Sequence, residues 1–560
     1  MPEVRFNQYY RYNELTKILQ GYAQEFPHLI DLCSIGKSYE GREIWLVTAT
    51  NRVTGRAEEK PALWIDGNIH AIEIAPSLAC LYLIHALVKG YGCDREITRC
   101  LDTRAFYICP RVNPDGAELA LSDSPKFIRS GTRVYPGSDV EEDGLVMEDI
   151  DGDGRILTMR VPDTNGPWKV SPADPRLMML REPTEVGGEY YRLLPEGTIE
   201  NYDGLQIPLQ APKEGLDFNR NFPFNWRQDD EQDGAGPYPT SESEVRSLVD
   251  FATSHPNITG SLSFHTMGGL LLRPSSQYSD DDLPQRDRRT YGAIGKKGTE
   301  LTGYPAISIY HGYRANPKEV VTGAFDDWMY EDRGVFAWTV ELWSPMRQAG
   351  ITDDRYIDWF REHPFEDELK LLRWHDEELD GEGYIDWYPF EHPQLGKIEL
   401  GGWNELYTWC NPPHNRLECE IAPFPQWLVW HLLISPRLEL HSAIAQPLGD
   451  NTYRVSFVIQ NTGWLPTNVT QKALEKKLAR GCLCSIELPE GACLEFGKRQ
   501  VDIGQLEGRN LKPSGIVWHQ GDETQDRGKV EWIVRAPAGT TVQLTARHDR
   551  AGVVRAEAVL

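Results

Sequence analysis

His70 and Glu73 stand three residues apart in GNIHAIEIAPS, where the strand-like run PALWIDGNI ends. After Glu73 no Asp, Glu, Lys or Arg follows until Lys89. His265 closes a second strand-like run, ITGSLSF. Two ligands on one turn and a distant third are the usual way to hold catalytic zinc, because three protein ligands leave a fourth position open for water. The spacing therefore points to zinc hydrolase chemistry.

The same spacing occurs at His363/Glu366 and His375/Glu378, inside REHPFEDELKLLRWHDEEL. Those copies lie among solvated charges on what reads as an exposed helix. His70 and Glu73 lie beside apolar sequence, where a buried carboxylate must be paired or bound to metal.

The elements that must position these residues alternate along the chain. LIDLCSIG, EIWLVTAT, PALWIDGNI, AFYICPRV, ITGSLSF and GVFAWTVEL read as strands, and IAPSLACLYLIHALVKG and SESEVRSLVDFATSH as helices. Such alternation predicts an α/β fold, a central sheet covered by helices on both faces. Ser241 followed by Glu244 gives the second helix a capping box. Ligands collect at strand ends in such sheets, and His70 and His265 both sit there. Residues 131–215, rich in Gly, Pro and acidic residues, read as a long insertion or loop system. From about residue 436 short alternating runs (RLELHSAIAQ, TYRVSFVIQNTG, KVEWIVRAP, TTVQLTARHD) predict a separate β-sandwich. The expected organisation is a catalytic unit over 1–435 and an accessory sandwich over 436–560.

Further stretches join the pair: IGKSYEGREI, the turn Asn113-Pro114-Asp115-Gly116, the run Asn219-Arg220-Asn221-Phe222, and Glu341 in TVELW. With His70/Glu73 and His265 they fall in one order over roughly residues 10–435, and in that order the chain resembles the zinc metallocarboxypeptidases, the carboxypeptidase A family. The resemblance implies a mixed, carboxypeptidase-like sheet and one zinc on His70, Glu73 and His265. It implies that Asn219 and Arg220 hold the terminal carboxylate of a substrate, a task suited to the planar, always-charged guanidinium. Arg129 in KFIRSGTR, with Arg133 nearby, falls where an arginine stabilises the oxyanion. Glu341 falls where a general base takes a proton from zinc-bound water and passes it to the leaving amine. Asn113-Pro114-Asp115-Gly116 is carried as a structural turn.

The sequence also departs from that family. Ile72 stands where digestive members carry an arginine, and no tyrosine matches the one that caps bound substrate. The count back from Trp328 reaches Glu319 and Val320, with Tyr310 and Tyr313 further upstream. Asp326 falls where members that prefer basic C-terminal residues have an acid in the side-chain pocket; its bland alternative is a solvated carboxylate at a helix start. Asp149, Asp151 and Asp153 resemble half a calcium loop, but Arg160 stands where the bidentate Glu belongs.

At 560 residues the chain calls for more than one domain. A net charge of -26 argues against nucleic-acid or anionic-membrane partners. The sequence shows no apolar run of membrane-span length and no signal-like start, so a soluble, cytoplasmic protein is expected, with secretion left open. Ten scattered cysteines, including Cys482 and Cys484, read as free thiols. The leading expectation is a zinc carboxypeptidase acting on peptides with a free C-terminus. Two alternatives stay open: a zinc amidohydrolase or deacylase of small amino-acid conjugates, and a non-catalytic binding protein on the same fold.

Overall fold

The structure, a computed structural model, describes residues 2–135, 143–314, 316–352, 356–379, 381–510 and 524–560. Eight strands form one mixed sheet in the order Ile30–Lys37, Glu43–Ala49, Ala105–Cys109, Ala62–Gly67, Ile258–Thr266, Phe336–Leu342, Leu270–Arg273, Ala306–Ser308. All six strand-like runs of the catalytic region lie in it. The three central strands are parallel and fully buried, so even their polar residues, such as Asp66, Ser261, Ser263 and Thr339, are enclosed.

Successive residues of Ala62–Gly67 face opposite layers. The Trp64 ring lies 5.5 Å from Phe251 of the helix Ser243–Ser254. On the other face Leu63 approaches Gly260, beside His431 of the helix Phe424–Leu433. Helices thus cover both faces. The helix Ala75–Gly90 starts immediately after the loop that carries His70 and Glu73 and is buried over most of its length, so its apolar character continues around its circumference. Gly67 permits this join: a Cβ there would stand 2.7 Å from the Pro76 carbonyl oxygen.

The insertion is not a loop system. Within the described part of 131–215, residues 136–142 lying outside it, Thr158–Pro162, Trp168–Val170, Met178–Leu180 and Tyr191–Pro195 join Tyr384–His392 and Gly396–Trp403 in a six-stranded sheet. Gly144–Met147 pairs with Gly197–Glu200. The insertion's own strands are three to five residues long and broken by Gly, Pro and Asp, too short to show a period. Glu196 anchors them, its buried carboxylate accepting from the Ile150 and Leu157 amides at 2.8 and 2.7 Å.

Two other local expectations are corrected. The helix Ser243–Ser254 has Glu242 at its cap and no side-chain cap bond. Ser241 is turned to Glu242 and Asn221, while Glu244 accepts from the Tyr39 amide, so tertiary contacts displace the capping box. The stretch 363–378 is solvated on one face only: Glu366, Lys370, Arg373, Glu377 and Glu378 are exposed, but the two histidines are not free. His363 stacks on Trp359 at 3.9 Å and bonds Glu368, and His375 is buried against Tyr384 and Trp403.

Beyond residue 436, two four-stranded antiparallel sheets enclose their own core around Phe457, Trp532 and Leu544, a β-sandwich. One excursion from it is not autonomous. Leu465 and Val469 pack in the core of the large sheet, and Thr470 donates to the Gly334 carbonyl at 2.8 Å. Among the described residues no helix is long and apolar enough to cross a membrane.

Candidate metal centre and substrate cavity

His70 and Glu73 lie on the loop between Ala62–Gly67 and the helix Ala75–Gly90, held by three asparagines. Asn68, at φ 60°, donates to the His70 carbonyl at 2.7 Å. Asn113 caps the short helix Pro114–Ala120 and donates to Ser130 O, and the neighbouring Arg129 carbonyl accepts from the Ala71 amide. Asn411 accepts from the Ile74 and Ala75 amides and donates to Ile72 O. The Asn113-Pro114-Asp115-Gly116 turn is therefore a strut of the site wall. Asp115 ties it to the SYEGR segment through Ser38 and Arg42 at 2.7 Å.

His265 is the penultimate residue of the neighbouring strand, directly opposite Glu341 in the parallel register. Its Nδ1 lies 3.2 Å from His70 Nδ1 and 3.0 Å from Glu73 Oε2, and His70 Nδ1 lies 2.7 Å from Glu73 Oε1. Tetrahedral zinc with bonds near 2.0–2.1 Å separates its ligand atoms by about 3.3 Å, so this His/Glu/His set needs only small adjustments to close on the ion. All three side chains are buried. Burial opposes ionisation of Glu73, but His70 and His265 outweigh it and hold the carboxylate well below its usual range. The donor set fits zinc.

The outer nitrogens are also engaged. His70 Nε2 faces Asp217 Oδ1 at 3.2 Å, and His265 Nε2 meets Ser263 Oγ at 3.1 Å, which in turn bonds Asp66. Such partners fix the tautomer and the ring orientation of metal-binding histidines. Asp217 Oδ2 accepts from Arg129 Nε at 2.9 Å. Burial raises the Asp217 pKa, yet Arg129, Arg220 and His70 hold it far below the usual range. Asp217 escaped the sequence reading, although it stands two residues before Asn219 in LDFNR.

One cavity of about 380 Å³ is lined by His70, Glu73, Arg129, Asn219, Arg220 and their counterparts His265, Asp326 and Glu341. Arg133 instead pairs with Glu242 at 2.6 Å, which leaves Arg129 as the arginine beside the ligands. The Asn219 side-chain oxygen accepts from the Phe325 amide at 2.8 Å, so its NH₂ is the group it can offer a carboxylate. Glu341 is 7% exposed, and its Oε2 has no hydrogen-bond partner among the described residues. Burial and the nearby Glu73 charge push its pKa up to about 8, against the pull of His265 and Arg129.

Asp326 is not the solvated helix-start carboxylate of the bland alternative. It is 2% exposed, bonded to the Asp327 amide and to Thr339, with its pKa raised by burial. Glu319 and Val320 line the cavity, as does Tyr313, which stacks on Tyr356. Asp149, Asp151 and Asp153 come together on the insertion, but Asp149 accepts from the Gly152 and Gly154 amides and Asp151 from Asp153 N. The loop's own backbone amides account for this arrangement, with no support for calcium.

A family described as zinc carboxypeptidase matches residues 15–363, and a domain of unknown function matches residues 437–559. Carboxypeptidase A1 of Rattus norvegicus is 24% identical over 335 residues, 60% of this chain and 62% of that protein. Carboxypeptidase B of Astacus astacus is 26% identical over 345 residues, 60% of this chain and 86% of that one. The solved carboxypeptidase A from Helicoverpa armigera has 18% identity and a TM-score of 0.42, over 67% of this chain and 74% of that one. The chain spans about three fifths of the length of the first of these relatives.

Proposed function

The chain belongs to the zinc carboxypeptidase family, and from that membership we propose that it hydrolyses the C-terminal peptide bond of peptides. The observation that carries this reading is the cavity itself: four separate segments bring a His/Glu/His ligand set, a buried Glu with one unpartnered oxygen among the described residues, and an Asn-Arg pair to one 380 Å³ space.

Zinc held by His70, Glu73 and His265 supplies a Lewis acid for the scissile carbonyl and lowers the pKa of water. The chain's own residues do the rest. Arg220 and the Asn219 NH₂ bind the terminal carboxylate and so fix which bond is presented. Arg129, held by Asp217, places a fixed positive charge where the carbonyl oxygen becomes negative. Glu341, whose burial disfavours its charged form, accepts the proton of the attacking water and delivers it to the leaving amine.

Asp326 gives the cavity a preference. A carboxyl whose ionisation is opposed by burial gains most from a cationic partner, so C-terminal Lys or Arg is the favoured residue. Assay of the purified protein on peptides ending in Arg, Lys, Leu or Phe, with and without a chelator, tests the reading. The expected result is chelator-sensitive release of Arg and Lys ahead of Leu and Phe, with Asp326→Ala narrowing the gap. Absence of C-terminal release from every peptide would refute the activity, and a preference for Leu or Phe would refute the role of Asp326.

A further inference from the structure

A second cavity of about 450 Å³ is walled by the six-stranded sheet of the insertion and by residues 356–410. Aromatic rings dominate it. Trp409 is the hub: its ring lies 5.9 Å from Trp403, 6.0 Å from Trp359 and 6.1 Å from Phe360. On the opposite wall Trp387 is fixed, its indole N–H donating to Arg176 O at 2.7 Å and its face covered by Arg160 at 4.5 Å. Phe360 is 45% exposed, so its ring is open to an incoming group. The rim carboxylate Glu368 is engaged by His363 at 2.8 Å.

This cleft adjoins the substrate cavity. Met267 lines it, while the preceding residue, Thr266, lines the cavity with the ligands. The Met267 carbonyl accepts from Tyr356 at 3.1 Å, and Ile357 of the same short helix lines the ligand cavity while Trp359 and Phe360 line the cleft. Cys410 lines the cleft, and Asn411 next to it holds the metal loop. The Arg220 end of the first cavity is taken by the substrate's terminal residue. A substrate whose carbonyl sits at the ligands therefore needs another place for its acyl side, and the cleft adjoins the cavity at Thr266 and Met267.

We propose that this aromatic cleft is an acyl-side subsite, which seats a flat aromatic group carried on the carbonyl side of the scissile bond. The inference rests on the carboxypeptidase reading and adds the part of the substrate that the terminal carboxylate does not define. Stacking on indole faces and exclusion of water from the ring supply the attraction.

The test compares 2-naphthoyl-Gly-Arg with acetyl-Gly-Arg, which share the terminal residue and differ only in the acyl group. The zinc-loaded wild type should favour the naphthoyl substrate in kcat/KM by about tenfold or more. Trp409→Leu and, separately, the more exposed Phe360→Ala should each reduce that ratio at least about threefold. The ratio is internal to each variant, so partial loss of folded protein does not move it. A wild-type ratio near one, or one that both variants leave intact, overturns the subsite. If neither substrate is cleaved, the carboxypeptidase reading fails, and titration of the protein with 2-naphthoylglycine, read by tryptophan emission, decides the cleft alone. Saturable binding weakened in both variants upholds the cleft as a site, and no binding overturns it.

Discussion

Asp217 and His70 are joined across the metal centre. The Asp217 carboxylate meets the His70 ring nitrogen that points away from Glu73, and its other oxygen carries Arg129. One carboxylate therefore orients a proposed metal ligand and the cation beside it. Asp217→Asn keeps the shape but removes the charge that both neighbours use, so zinc affinity should fall by the roughly 10- to 100-fold typical of such outer partners. Competition against a chelator of known affinity measures it. Wild-type affinity in the variant would show that the contact is incidental.

How much of this was legible depended on element length and on distance along the chain. The buried parallel strands were legible because each is a short run rich in large apolar residues, and His70, His265 and Glu341 sit at or just past the ends of those runs. The insertion sheet hid because its strands are as short as Trp168–Val170, and because Thr158–Pro162 pairs with Gly396–Trp403, more than 200 residues further along the chain. Asn411 carried no local signal: its role exists only because it meets Ile72, Ile74 and Ala75 across the fold. Asp326 read locally as a helix-start charge, and only tertiary burial reveals its place in the cavity.

The boundary near residue 435 is the next test. A chain ending there keeps every proposed ligand but loses Leu465 and Val469 from the catalytic core. It also strips partners from two buried carboxylates: Asp287 loses the Gln471 and Lys472 amides, and Glu331 loses the Lys472 and Lys476 ammonium groups. Unpaired buried charge and a cavity are both costly. The truncated chain should melt well below the full chain or aggregate. Leu465→Ala in the full chain should cost about 2–5 kcal/mol by denaturant titration. Melting of the truncated chain at the full-length temperature would make the sandwich a true appendage.

Acid sensitivity follows from His431, a fully enclosed histidine whose Nδ1 has no partner among the described residues and whose pKa burial lowers to about 4. Above pH 6.5 the ring is neutral in both folded and unfolded chains and contributes no slope. Below 6.5 the unfolded chain takes up a proton that the fold refuses, so stability falls until pH reaches about 4. Between pH 6.5 and 5 this amounts to about 2 kcal/mol. Glu196 and Glu244, both raised to about 7, titrate with the opposite sign, so the informative quantity is the difference between proteins. His431→Leu should match or exceed wild type at pH 7 and lose less stability on acidification. Parallel stability curves for the two proteins would exclude His431 as the source.

Glu341 separates catalysis from mere binding. It lies opposite His265 in the sheet register, outside the three-residue ligand set, so a change there leaves the metal donors in place. Gln has nearly the same shape but cannot accept the proton of the attacking water. Glu341→Gln should also fold readily, since the native carboxyl is already buried with an unpartnered oxygen and its charge disfavoured. The variant should keep one zinc per chain by metal analysis and lose at least about 10²- to 10⁴-fold in hydrolysis, the share that general acid–base catalysis contributes. His265→Ala should lose zinc and activity together, because it removes one of three ligands. A fully active Glu341→Gln would assign the proton transfer elsewhere. Loss of zinc in Glu341→Gln would instead move this residue into the ligand set.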